Sequence, residues 1–190
     1  MSYRPITDTW ILARAKLKGG VKYYGSYPGG FLERARALLG VSSNDPILHV
    51  CAGRVDRYPY RGGFGKNDYR LDSDPKMRAD FTQDVNVGIP RNPEVTRGRH
   101  AGLWYAILAD PPYTKEDAEH YDAGEVDLPN PHALLADMLR NVRPGGRVGL
   151  LHYIVPRPPK EMDPKFVAVI SVMVGFGNRL RCYTVFERRR

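Results

Sequence analysis

Cysteine is scarce in this chain: there are two in 190 residues, Cys51 and Cys182, far apart in sequence. Neither stands in a Cys/His pattern with ligand spacing, so no metal site is expected. Both fall in predicted strands, which points to reduced thiols and a cytoplasmic compartment. Long apolar runs are also missing, since no stretch approaches the roughly 18 residues of a membrane span. The first residues lack the basic-then-apolar order of a secretory signal, and there are no internal repeats. Acidic residues are in deficit, 21 against 29 Lys and Arg, for a net charge of +8. That excess favours a polyanionic partner through counterion release. No Gly-x-Gly-x-x-Gly follows the first predicted central strand, which argues against a nicotinamide dehydrogenase.

What is present is an ordinary globular composition, 42% hydrophobic and 26% charged. The length suits one domain spanning residues 1–190. Residues 1–21 read as an N-terminal arm or a short helix over Trp10 to Leu17, and 188–190 as a solvated basic tail. The chain is organised around residues 104–113, Trp-Tyr-Ala-Ile-Leu-Ala-Asp-Pro-Pro-Tyr. The first six read as a buried strand. The double proline then stops sheet and helix alike, because neither ring offers an N–H and each fixes φ. Asp110 and Tyr113 are thereby placed at the carboxyl edge of a sheet, where open α/β folds bind ligands. The Asp110 carboxylate beside the Pro111 carbonyl makes an acceptor pair for an amino group, and Tyr113 offers a flat face to a planar ring.

The remaining elements follow from pattern and punctuation. A Gly- and Tyr-rich loop, residues 22–30, leads into a helix over 31–39 that ends at Gly40. Its N-terminus suits a carboxylate or phosphate, or the loop's aromatics pack on the sheet edge. Ile47 to Gly53 reads as the first central strand and its turn. Residues 57–67 are basic, aromatic and glycine-rich, a pattern that suits phosphates and stacked bases or a mobile loop. Arg57, Tyr60, Arg61 and Lys66 are its candidate nucleic-acid contacts, with Lys115 beyond the double proline. Tyr69 to Asp72 is a second strand, and Asp72 stands where a carboxylate accepts ribose hydroxyls. Asn130 caps a helix that begins at Pro131 and ends at Pro144-Gly145-Gly146. A strand from Arg147 and a closing pair, Phe166 to Val174 and Leu180 to Glu187, complete the sheet.

Asp110-Pro111-Pro112-Tyr113 resembles the catalytic motif of S-adenosylmethionine-dependent amino-methyltransferases, which methylate exocyclic nitrogens of bases in DNA and RNA. The strand order of residues 22–187 is similar to theirs. The resemblance implies a Rossmann-like class I methyltransferase fold: an α/β sheet of seven mostly parallel strands with one antiparallel, and helices on both faces. It implies S-adenosyl-L-methionine as cofactor and Asp110, Pro111, Pro112 and Tyr113 as catalytic residues. Tyr24, Tyr27 and Gly29 would serve the methionine end, Ala52, Gly53 and His49 the first loop, and Asp72 the ribose. Asp80, with Phe81 beside it, would meet the adenine, and Asp84 is the alternative. The chain departs from the pattern twice: His49 stands where an acid is common, and Val55 replaces a second glycine. His49 also reads as a satisfied histidine within the sheet. The implied activity is methyl transfer to adenine N6 in DNA. An RNA base-amine methyltransferase and a non-catalytic, methyltransferase-like nucleic-acid-binding subunit are the alternatives. The implied partner is nucleic acid, DNA before RNA, with a specificity subunit or a homodimer to supply recognition that so small a chain does not show. No membrane partner is implied, and the setting would be the cytoplasm of a prokaryotic or virus-infected cell.

Overall fold

In the computed structural model, residues 4–14, 27–42, 44–57, 64–119, 127–175 and 179–189 are described. In chain order the elements are β1 (Ile6–Leu12), α1 (Phe31–Leu39), β2 (Ile47–Val50), β3 (Tyr69–Asp72), β4 (Phe81–Thr82) and β5 (Trp104–Ala109). Then come α2 (Lys115–Glu119), α3 (Pro131–Asn141), β6 (Val142–His152), β7 (Lys165–Val174) and β8 (Arg181–Glu187). The described strands form one sheet of eight in the order β1-β7-β8-β6-β5-β2-β3-β4. All neighbours pair in parallel except β8, which runs antiparallel to both β6 and β7.

The central strands are apolar on both faces because both faces are covered. Ile47, Ala106, Leu108, Leu151, Ile170 and Tyr183 pack with α1 on one side. Leu48, Val50, Ile107, Val148 and Leu150 pack with α3 on the other. The predicted caps are present. Gly40 takes a left-handed conformation (φ 69°) after α1, and the Asn130 side chain accepts the His132 and Ala133 N–H groups at the start of α3. No helix among the described residues is long and apolar enough to cross a membrane.

The structure corrects two expectations. Residues 6–12 form an edge strand, β1, beside β7, which raises the count from seven to eight. The sequence Ile-Thr-Asp-Thr-Trp-Ile-Leu is rich in β-branched residues and buries Trp10 and Leu12 on alternate positions. Pro144-Gly145-Gly146 does not separate helix from strand. α3 passes directly into β6, and these residues form an irregularity between the pairs Trp104–Val142 and Ala106–Arg147. Gly146 is required there, since a Cβ would lie 2.7 Å from the Tyr105 carbonyl oxygen. Among the described residues no full helix follows β2, only a 3-10 turn at Val55–Arg57.

One polar cluster ties α1, β2 and the loop before β3 together. Asp68 Oδ2 accepts from Arg36 Nη1 at 2.6 Å, from the Gly65 N–H at 2.7 Å and lies 3.2 Å from His49 Nε2. Arg36 also donates to the Ser42 and Asp45 carbonyls. The Asp68 side chain is 0% exposed. Removing it would strand a guanidinium in the core. Asp68→Ala should therefore lower unfolding free energy by about 3–5 kcal/mol. Loss of the α3 cap in Asn130→Ala should cost about 1 kcal/mol, and urea denaturation of the two variants compares them directly.

Candidate active site

β3 and β4 lie on one side of β2, and β5 lies on the other, so the chain reverses its direction of progress between β2 and β5. In an open α/β sheet the crevice beyond such a reversal is the ligand site. Register fixes what faces it. Val50 pairs with Leu71 on one side and Ala109 on the other, which puts Cys51, Asp72 and Asp110 on the next rung. The Asp110 N–H donates to the Val50 carbonyl at 3.3 Å, and the buried Pro111 follows without an N–H of its own. The double proline thus begins where the β2–β5 ladder ends.

Three carboxylates converge on this edge. Asp72 Oδ2 accepts the Gly53 N–H at 2.7 Å and Oδ1 the Asp74 N–H at 3.0 Å. Burial raises the Asp72 carboxyl above its usual range despite these bonds. Asp84 stands two residues beyond β4 and caps a short 3-10 turn through the Asn86 N–H. Asp110 is pushed up to about 6, by burial first, with Arg181 and the Tyr113 hydroxyl pulling the other way and Asp117 adding to the rise. The Cys51 thiol lies among the three; burial raises it, and Asp72, Asp110 and Asp84 raise it further. Cys51 also holds a left-handed backbone (φ 53°), a strained conformation of a kind that concentrates at functional sites.

Tyr113 is placed differently from the open stacking face expected of it. Its hydroxyl donates to Asp110 Oδ1, and its ring lies 4.4 Å from that of Tyr153 and 5.1 Å, edge-on, from that of His152. Burial and the adjacent carboxylate hold the phenol well above its usual range. Arg181 Nη1 points at the same hydroxyl, 3.5 Å away. Burial works to lower the Arg181 pKa, but Asp110 and Tyr113 outweigh it.

The other expected residues divide. Ala52 and Gly53 (φ 49°) form the turn at the end of β2, with the Ala52 N–H on the Leu71 carbonyl. Gly29 is also at the carboxyl edge, its N–H donated to the Ala13 carbonyl just past β1. Tyr27 is a core residue instead, 3% exposed and stacked on Phe31 at 5.1 Å. His49 sits within β2, two rungs below Cys51, and its Nε2 lies 3.2 Å from Asp68 Oδ2, in the cluster shared with Arg36 of α1. Asp80 and Phe81 are at the wrong end. Asp80 precedes β4 and accepts the Arg70 N–H, and Phe81 packs on Tyr69 and Trp104. The alternative acid, Asp84, follows β4 at the carboxyl edge, near Cys51. Lys66 is exposed but lies in the loop before β3, at the opposite edge, where neighbouring Asn67 bonds the Asn44 carbonyl. Lys115 is exposed at the start of α2, next to the double proline, and the Arg57 backbone lies in the turn after β2. Tyr24, Tyr60 and Arg61 lie outside the described residues.

Cys51 and Arg181 had no sequence motif to mark them. Arg181 was findable only through topology: it begins an antiparallel strand, and such a strand starts at the edge where its parallel neighbours end.

No protein-family model matches the sequence, and no curated protein does. Solved structures do. A presumed SAM-dependent methyltransferase from Streptococcus mutans superposes with a TM-score of 0.53 at 13% identity, over 85% of this chain and 50% of that one. At that identity the likeness bears on fold alone. The fold is that of the class I methyltransferases. TrmN from Thermus thermophilus (TM-score 0.47, 19% identity, 81% of this chain and 48% of that one) is also similar. So is an rRNA methylase from Streptococcus thermophilus (0.42, 11%, 83% and 95%). The chain spans about half the length of the first two of these structures. Within the class I methyltransferase fold, β1 is an additional strand at the edge of the expected seven.

The surroundings of the two thiols differ in a way that labelling can read. A raised thiol is short of thiolate, the reactive form. Cys51, held up by burial and three carboxylates, should alkylate at pH 8 more slowly than Cys182, held up by burial alone. Peptide mapping after a timed pulse of iodoacetamide measures both rates together.

Proposed function

We propose that this chain transfers a methyl group from S-adenosylmethionine to an exocyclic amino nitrogen of a nucleobase, adenine N6 in DNA foremost. The observation that carries the reading is the common rung. Asp72, suited to a ribose, and Asp110, suited to an amine, are set one strand either side of Cys51 by in-register pairing.

The residues present fit the cofactor. Asp72 has lone pairs beyond its two backbone bonds for the ribose hydroxyls. Asp84 has a second oxygen for the adenine amine, and Gly53 lets backbone approach closely. The three carboxylates favour a cationic ligand over an anionic one. When bound, S-adenosylmethionine supplies an electrophilic methyl group at this edge. Asp110 and the Pro111 carbonyl accept the hydrogens of the target amine and turn its lone pair out of conjugation with the ring. They act as preorganised acceptors, so alignment does most of the work. The Tyr113 hydroxyl sits where one amine hydrogen would go, so the incoming base displaces it. A base within a duplex cannot reach this edge and is flipped out or already single-stranded. The net charge of +8 supports a nucleic-acid substrate, and RNA is the second reading on the same ground.

Asp110→Ala should reduce methyl incorporation by about a thousandfold or more while calorimetry still detects S-adenosylmethionine. Asp72→Asn should weaken that binding instead. Undiminished turnover in Asp110→Ala, or no heat with wild type at millimolar cofactor, would sink the assignment. The pH profile has a set sign. Asp110 must be ionised to accept, and its carboxyl is raised to about 6. Activity should therefore fall as pH drops through about 6, rather than through the ordinary carboxyl range near 4.

A further inference from the structure

We propose that Arg181 is a positioning residue for this site: it is the counter-charge that readies Asp110 as an acceptor, and the donor that keeps hold of the Tyr113 oxygen when an amine displaces the hydroxyl from Asp110. The inference rests on the amine-methyltransferase reading above and names a residue that reading leaves idle.

The geometry is specific. Arg181 pairs with Val172 at the first residue of β8, and the next pair, Cys182 with His152, is the last rung with β6. The guanidinium is thereby held at the carboxyl edge by a strand running against its neighbours. Its Nη1 lies 3.5 Å from the Tyr113 hydroxyl oxygen, while that hydroxyl's own hydrogen goes to Asp110 Oδ1. The Tyr113 oxygen therefore bridges a cation and a carboxylate. When a base amine takes the carboxylate, the phenol keeps a charged donor 3.5 Å away, and a small movement turns a long contact into a full hydrogen bond. Displacement frees the phenol O–H from Asp110, while its oxygen keeps the guanidinium donor and the ring stays anchored in the half-buried site.

Several groups face Asp110 from the elements around it. Arg181 comes from β8, Asp117 from α2, Cys51 from the end of β2 and Tyr113 from its own segment. His152 and Tyr153 line the far side of the Tyr113 ring. The Asp117 charge opposes ionisation of Asp110, and the Arg181 charge favours it. Arg179, nearby, is directed elsewhere: its Nη1 donates to the Tyr153 hydroxyl at 3.4 Å.

The test follows the Asp110 carboxyl carbon by NMR against pH in 13C-aspartate-labelled protein, assigned by its absence in Asp110→Asn. Arg181→Gln and Arg181→Met remove the charge with different shapes, which guards against one of them failing to fold; circular dichroism checks both. In each, the carboxyl midpoint should rise by about one pH unit or more, and Arg181→Lys should recover at least half of the shift. The acid limb of kcat should move with it, while KM for S-adenosylmethionine stays within about twofold. A midpoint that stays near 6 in the folded neutral variants overturns the proposal, whatever the enzyme does. Absence of methyl transfer by the wild type overturns the functional reading, and the titration still decides the role of Arg181.

Discussion

The site depends on one backbone constraint: the ladder between β2 and β5 closes with the Asp110 N–H on the Val50 carbonyl, and the next two residues have no N–H to extend it. Everything beyond that bond must turn away from the sheet. The same rung carries Cys51 at the end of β2 and Asp72 at the end of β3. Three short strands therefore deliver a thiol and two carboxylates to one line, with rigid strands rather than loops fixing their separation. Where a donor and an acceptor must meet with little freedom, this placement is economical.

The site sets its chemistry against its own stability. Asp72, Asp84 and Asp110 crowd a partly dry edge of a chain whose net charge is +8. Burial raises the Asp72 and Asp110 carboxyls, and Cys51 takes an unfavourable backbone conformation beside them. The strain is local because the core beneath is firmly built. Both sheet faces are covered, and the Arg36–Asp68–His49 cluster fixes α1 to β2 from below. His49, where the resemblance implied an acid, belongs to that support through its contact with Asp68.

Sequence was informative where one signal settled one feature. Gly40, Asn130 and Pro131 marked helix ends because capping is local, and the run from Trp104 into the double proline marked a strand and its stop. It failed where the answer depended on pairing. Residues 6–12 have apolar positions that fit helix or edge strand, and only β7 decides between them. In sequence Asp80 is the candidate because Phe81 stands beside it to pack on a purine, with Asp84 as the alternative. With two residues in β4, pairing sends Asp80 to one edge of the sheet and leaves Asp84 at the other. Tyr27 was an aromatic in a glycine-rich loop and became core, because Phe31 and the sheet offered it a dry face. Arg181 joins the site across a gap of 71 residues from Asp110, a distance that no local pattern spans. The rare tetrapeptide could be read from sequence; the guanidinium and thiol that complete its setting could not.

The central claim is that this edge holds a base amine facing a methyl donor. Its most direct test is incubation with methyl-labelled S-adenosylmethionine and separate single-stranded DNA, RNA and protein substrates, followed by digestion to nucleosides and mass spectrometry. Label recovered as N6-methylated adenine nucleoside, in DNA before RNA, is the expected result. Label confined to protein, to a ring carbon or to a sugar oxygen would contradict it.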